Sequence, residues 1–434
     1  MRKADLDTRV AVTGAGIICA IGRNKEEVWS SIVASRDGIA PLTRFAGETF
    51  ATDIAAEVKS ELPRAKRLSR TDLLAVVAAR EAIEQANGID RSLVPRFLGS
   101  SEERAVDARG TEEPDEPEEP RHRPSPLPLG RAIVSTGTST GGLLEGEDYF
   151  FRRIVRGRRR APASKVLQQP TSGPSDAVAR VFGLGGGVLS NATACASAGA
   201  AIGMAADYLR SHHADVAIAG GSDALCRLTY SGFNVLQAVD PQPCSPFGAE
   251  RKGITLGEGA AYLVLERWDD AVARGAVILA ELCGYGASCD AHHQTAPIED
   301  GRGAEAAMRG AMAEARLEAG AVDYVNAHGT GTLLNDSAET KAIIAALGSS
   351  VPVSSSKSYF GHTLGASGAV EAVITVLALR HQLAPPTLRL VRAADDCPLD
   401  YIPDTARALP MSNALSNTFG FGGSNVSLLF RRVV

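Results

Sequence analysis

Three side chains in this 434-residue sequence could do covalent or proton-transfer chemistry from well-marked positions. Cys195 lies in Asn191-Ala192-Thr193-Ala194-Cys195-Ala196-Ser197-Ala198-Gly199-Ala200, a run of small residues. Val188-Leu189-Ser190 ahead of it reads as a buried strand end, and Ala201-Ile202-Gly203-Met204-Ala205-Ala206 after it as a packed helix. A cysteine at that junction stands near a helix N-terminus, where unpaired N–H groups and the helix dipole favour a thiolate. The same N–H groups could hold an oxyanion. The plainer alternative is a small buried hydrophobe. His328 lies in Asn326-Ala327-His328-Gly329-Thr330-Gly331-Thr332, and His362 ends Lys357-Ser358-Tyr359-Phe360-Gly361-His362. Each histidine alone would pass for a structural residue; together with a placed thiol they need one explanation.

The elements that would position them alternate between strand and helix. Val10–Ile18, Ala132–Gly137, Asp215–Gly221 and Ala260–Glu266 read as strands, and Lys25–Val33 and the run through Leu73, Leu74, Val77 and Ala78 as helices. That alternation indicates an α/β architecture of mixed sheets covered by helices. Gly14-Ala15-Gly16 lacks the third glycine of a dinucleotide fingerprint, so it reads as a turn at a core strand. Gly361 to Glu371 opens a helix running through Leu379 in the small-residue style of the Cys195 helix, which suggests two related halves with a site between them. The C-terminus, Leu415 to Phe430, reads as a hairpin around Gly420-Phe421-Gly422-Gly423. Residues 101–129 look inserted: they are acidic and punctuated by proline, with His122 among them, and read as a disordered surface loop.

Composition excludes several classes. The net charge of −5 gives no reason to expect nucleic acid as a partner. The seven cysteines are scattered, odd in number and without metal-ligand spacing, so a reduced cytoplasm is expected and a metal is not. Residues 1–7 lead into a strand instead of a signal peptide, and no apolar run reads as a membrane span.

The cysteine segment Thr193–Ser197, the His-Gly-Thr-Gly-Thr run at 328–332, the Lys357–Gly368 segment and Asn417-Thr418-Phe419-Gly420-Phe421-Gly422-Gly423-Ser424-Asn425 resemble, in order and approximate spacing, the β-ketoacyl-acyl carrier protein synthases. The similarity is to the condensing enzymes of types I and II and the related polyketide ketosynthases, and it covers the chain apart from 101–129. It implies a thiolase-like fold, with duplicated mixed-sheet halves in five αβαβα layers, residues 1–267 carrying the cysteine and 268–434 both histidines. It also implies a 3-oxoacyl-acyl carrier protein synthase that holds an acyl chain on Cys195 and extends it by two carbons in a decarboxylative Claisen condensation with malonyl-acyl carrier protein.

By the same resemblance, His328 and His362 would donate to the enolate oxygen, and the backbone N–H groups of Cys195 and Phe421 would form the oxyanion hole. Lys357, with Glu339 as its carboxylate partner, would orient the site around His362. Thr330 and Thr332 would bind the phosphopantetheine arm, and Phe421 would gate the cysteine. His293, with Asp290 and Thr295, resembles a segment near the mouth. No cofactor is implied beyond phosphopantetheine carried by the acyl carrier protein, and a homodimer is expected.

Two departures from the family pattern stand out. His-Gly-Thr-Gly-Thr is followed by Leu333-Leu334-Asn335-Asp336 in place of Pro-Leu-Gly-Asp, and Ser245 replaces the basic residue before Pro246-Phe247. Lys66, Arg67, Arg70 and the arginines of 152–160 read as a docking surface for an acidic carrier. The alternative function is a non-catalytic, chain-length-factor-like subunit of a ketosynthase heterodimer. Such subunits typically replace the nucleophile, which here is present.

Overall fold

A computed structural model describes residues 7–45, 50–65, 67–88, 124–157 and 162–433. Lys66, Arg158 to Arg160, His122 and most of the expected insertion lie outside the described residues.

Ten strands form two copies of one pattern. The first copy comprises β1 (Val10–Cys19), β2 (Ala132–Gly137), β3 (Val188–Asn191), β4 (Val216–Asp223) and β5 (Gly259–Arg267). The second comprises β6 (Ala280–Cys289), β7 (Tyr324–Asn326), β8 (Pro352–Ser354), β9 (Asn413–Gly420) and β10 (Ser424–Arg431). From the seam outward the first runs β1-β5-β4-β2-β3 and the second β6-β10-β9-β7-β8, the same order of first, fifth, fourth, second and third. The pairings match as well: antiparallel, antiparallel, parallel, parallel. The copies join where β1 meets β6 over only Ala11↔Glu281 and Val12↔Ala280. The two-residue strand Asp400–Tyr401 extends the second edge.

Helices α1 (Arg70–Ala86) and α2 (Gly173–Phe182) cover the outer face of the first copy. Helices α3 (Ser197–Arg210) and α6 (Ser367–His381) lie between the two sheets, and α4 (Arg302–Glu314) and α5 (Leu333–Leu347) cover the second. This is the expected five-layered arrangement. The glycines that invited a dinucleotide reading explain the outer packing: a Cβ on Gly14 or Gly16 would stand 2.0 or 2.1 Å from Ala82 O or Ala78 O of α1. A Cβ on Gly284 or Gly286 of β6 would likewise stand 2.0 or 1.9 Å from Ala311 O or Ala307 O of α4. A side chain at any of these positions would force strand and helix apart.

Two expectations need correction. Val188–Ser190 is not a buried strand end; β3 is the outer edge strand of its sheet, with Val188 43% exposed. One stretch, Leu364–His381, does reach membrane-like length and apolarity, at mean hydropathy 1.2 over 18 residues. It is 89% buried as the central helix, so the middle layer of the fold accounts for its apolarity.

Candidate active site

Cys195 sits in a single 3₁₀ turn, Ala194–Ala196, between β3 and α3. Ala194 holds a left-handed φ of 49°, a strained value for a residue with a Cβ. Ser197 supports it: Thr193 N donates to Ser197 Oγ at 2.9 Å, and that hydroxyl donates to Ala194 O at 2.6 Å. The thiol is only 6% exposed.

His362 Nε2 lies 3.0 Å from Cys195 Sγ, and Ser367 Oγ lies 2.9 Å from Nδ1 on the other side of the ring. The His328 ring is nearly perpendicular to that of His362, with centroids 5.3 Å apart. The Nδ1 of His328 meets Lys357 Nζ at 3.1 Å. An ammonium has only donors to offer, so His328 must carry its proton on Nε2. Burial, with the Lys357 charge behind it, holds both histidines well below their usual range, and both rings are neutral at pH 7.

Burial also pushes the Cys195 thiol up to about 12, against the pull of Lys357 and of the Phe421 N–H that donates to the sulfur. The expected resting thiolate is therefore corrected to a thiol. Desolvation in this closed pocket outweighs the helix terminus and the nearby cation.

A second correction concerns the lysine. Lys357 Nζ pairs with Glu371 Oε1 on α6, and both side chains are buried. Glu339 instead accepts from the backbone N–H groups of His328 (2.8 Å) and Gly329 (2.7 Å), so it fixes the loop that carries the histidine. Lys357 thus orients His328, not His362. Burial raises both carboxyls to about 7; Lys357 draws Glu371 down without overcoming that cost.

Cys195, His328 and His362 form the floor of a cavity of about 320 Å³. Thr330, Thr332, Phe421, Asp290 and Thr295 line its walls. The Thr330 and Thr332 hydroxyls are 3.0 Å apart, both on the path in. His293 is exposed and does not line it; its Nδ1 accepts from Thr295 N and Ala296 N at 3.1 Å each. The Phe421 ring lies 5.6 Å from that of Phe233, and Gly422 and Gly423 after it take left-handed φ of 84° and 81°. A Cβ on Gly420 would stand 3.1 Å from Cys195 N, so the bare Cα lets this loop close on the nucleophile.

Of the docking cations, Arg67 is exposed. Arg70 is corrected to a structural residue: it holds buried Glu258 at 2.6 Å and donates to Val58 O at 2.8 Å.

Sequence reading missed three buried carboxylates. Glu371 had a signal, an acid inside the Val370–Leu379 run in which Thr375 is the one other polar residue, and a buried acid must find a partner. Asp336 accepts from Phe247 N (2.7 Å), Thr330 N (3.0 Å) and Gly331 N (3.2 Å), holding the threonine loop. Asp223 ties the loop after β2 to the second copy, accepting from Thr138 Oγ1 and Gly365 N at 2.7 Å each.

Comparison with known proteins agrees with this geometry. The model of the beta-ketoacyl synthase N-terminal domain matches residues 7–271, and that of the C-terminal domain matches 279–391. Over 441 aligned positions the chain is 37% identical to a 3-oxoacyl-[acyl-carrier-protein] synthase 2 of Synechocystis, covering 98% of each protein. The ishigamide ketosynthase/chain length factor superposes with a TM-score of 0.85 at 31% identity, over 98% of this chain and 100% of that one. A type II polyketide ketosynthase solved with its acyl-carrier protein gives 0.82 at 27% identity, over 98% and 100%. By sequence along its length, and by a fold whose duplicated halves meet at one thiol and two histidines, the chain belongs to the β-ketoacyl synthase family.

Proposed function

We propose that this chain is a 3-oxoacyl-acyl carrier protein synthase that uses Cys195 as its nucleophile. The observation that carries the reading is the 3.0 Å approach of His362 Nε2 to Cys195 Sγ, beside a second neutral histidine whose tautomer Lys357 sets.

In the first half-reaction, Cys195 passes its proton to His362 Nε2 as the sulfur attacks the acyl thioester carbon. The carbon's bond to the phosphopantetheine sulfur breaks, and that sulfur leaves with the proton. The tetrahedral oxyanion faces the N–H groups of Cys195 and Phe421. In the second, the bond between the malonyl α-carbon and its free carboxylate breaks, the carboxylate leaves as CO₂, and the bonding electron pair passes into an enolate. The Nε2–H groups of His328 and His362 stabilise that enolate oxygen; each such donor is worth roughly 10²–10³ in rate. The enolate carbon bonds to the acyl carbon, Cys195 leaves as a thiolate, and one proton from solvent restores the thiol. The products are a 3-oxoacyl carrier thioester, CO₂ and the free carrier thiol.

The partner is an acyl carrier protein, with Arg67 among its contacts. A second subunit, another copy or a chain-length-factor-like chain, would cover the open edge of β3. Unpaired cysteines throughout the described residues fit a reduced cytoplasm. The test is incubation with an acyl carrier thioester followed by peptide mass spectrometry. The acyl mass is expected on Cys195; an acyl adduct elsewhere, or chain elongation by Cys195→Ala, overturns the reading.

A further inference from the structure

The cavity lining divides into a buried floor and an exposed lip. Cys195, His328 and His362 belong to the floor; Leu236, Lys252, Leu333 and Leu334 are exposed at the lip. Lys252 is the one lysine or arginine among the lining residues. No carboxylate among the described residues pairs with its ammonium, and Asp290, the lining acid, is taken by Asn425 Nδ2 at 2.7 Å and Ile298 N at 3.0 Å.

The backbone that presents Lys252 is fixed on both sides. Before it, Arg251 is held by Asp396 at 2.8 Å; after it, Ile254 N donates to Ala238 O at 2.8 Å. The same loop leans on the threonine segment: a Cβ on Gly331 would stand 2.7 Å from Gly253 O. A long flexible cation therefore rises from a rigid base beside Thr330 and Thr332. Leu236, Leu333 and Leu334 line the same lip and are more than half exposed, so a charge pair formed there is partly screened by water.

The arm that must cross this lip carries its negative charge at one place, the phosphate at its outer end. Ser245, where the family pattern carries a basic residue, cannot meet that charge; its hydroxyl donates to Arg389 O at 2.9 Å, within the fold. We propose that Lys252 is the phosphate-binding residue of this enzyme, pairing with the phosphate of the phosphopantetheine arm as the thioester reaches Cys195. The proposal rests on the reading of Cys195 as the acylated nucleophile. The phosphate is chemically similar whether a carrier protein or coenzyme A brings it.

The experiment compares self-acylation of Cys195 by hexanoyl-phosphopantetheine and hexanoyl-pantetheine, which differ only in the phosphate. The wild type is expected to prefer the phosphorylated thioester by roughly three- to tenfold in kcat/KM, the range of a partly exposed charge pair. Lys252→Ala should bring that ratio towards one, Lys252→Glu should invert it, and Lys252→Arg should keep it. A ratio that Lys252→Glu leaves unchanged overturns this proposal alone. Failure of the wild type to acylate Cys195 with either thioester overturns the parent reading and this one with it. Repeated with hexanoyl-carrier protein and hexanoyl-coenzyme A, the Lys252→Glu penalty marks the source that the site serves; a penalty on neither overturns the proposal.

Discussion

The turns Thr193–Ser197 and Thr363–Ser367 occupy corresponding places in the two copies, each ahead of a central helix. Each is one 3₁₀ turn with a non-glycine residue at left-handed φ, Ala194 at 49° and Leu364 at 52°. In each a threonine carbonyl accepts from the alanine three residues on, at 3.2 and 3.1 Å. The helices that follow, α3 and α6, touch at their glycines, where a Cβ on Gly368 would stand 2.5 Å from Gly199 N. The backbone is thus repeated, but two side chains differ in use. Cys195 corresponds to Gly365, and Ser197 braces its own turn where Ser367 faces His362. One copy of the turn became the nucleophile, and the other became the mount for the histidine that serves it.

The largest effect should come from exchanging the two residues. Cys195→Ala is expected to lower condensation by more than about 10³-fold, the scale seen when a covalent nucleophile is removed. Adding Gly365→Cys should not restore activity, because the equivalent position is filled. A Cβ there would meet Ser139 N at 2.5 Å and Asp223 Oδ2 at 2.7 Å. The double variant should also melt earlier than Cys195→Ala. Recovered acylation at position 365 would show the two turns to be chemically equivalent.

Next in size is the support behind the histidines. Lys357→Ala leaves Glu371 buried without its cation, so the carboxyl takes up a proton and stability should fall by roughly 1–3 kcal/mol, the cost of a buried polar group that loses its partner. It also frees His328 to change tautomer. Lys357→Met combined with Glu371→Gln should regain much of the stability in a thermal melt but not the condensation rate. If rate returned together with stability, the pair would be a packing device with no influence on His328.

What the sequence made legible follows from where each signal lies. Cys195, His328 and His362 were found because their motifs are contiguous, and the duplicated halves were glimpsed in two small-residue helices. The partner of Lys357 was misassigned because the pairing joins a short turn after β8 to the second turn of α6, a relation set by packing and not by a motif. Asp223 and Asp336 were missed for the same reason: each gathers backbone N–H groups from separate loops. The state of the sulfur was misjudged because a helix terminus can be read from sequence, whereas the depth of burial that opposes it cannot.

The two serines give a smaller and cleaner contrast. Ser197→Ala removes both bonds that brace the strained Ala194, so roughly 1–2 kcal/mol of stability should go with it. Ser367→Ala should leave the melting temperature closer to wild type but reduce kcat about tenfold with little change in KM. A hydroxyl can donate or accept, so Ser367 stays bonded whether His362 carries its proton on Nδ1, to receive the thiol proton, or on Nε2, to face an oxyanion. Ser367→Thr keeps the hydroxyl and should recover most of the rate. Equal losses of stability and rate in both alanine variants would erase the distinction between the turns.

The last comparison alters no residue of the site and concerns the thiol alone. With Cys195 raised to about 12 by burial, its thiolate fraction should grow tenfold with every pH unit across the accessible range. Iodoacetamide labelling of Cys195, read by mass spectrometry in a Cys289→Ser background to remove the exposed thiol, should therefore rise with unit slope from pH 7 to 9.5. A rate that levelled off below pH 8 would mean that the helix terminus and Lys357 outweigh desolvation, and that the sulfur rests as an anion. Attack would then need no base, and the 3.0 Å contact with His362 would be the donation of a hydrogen bond to sulfur instead of the route by which a proton leaves it.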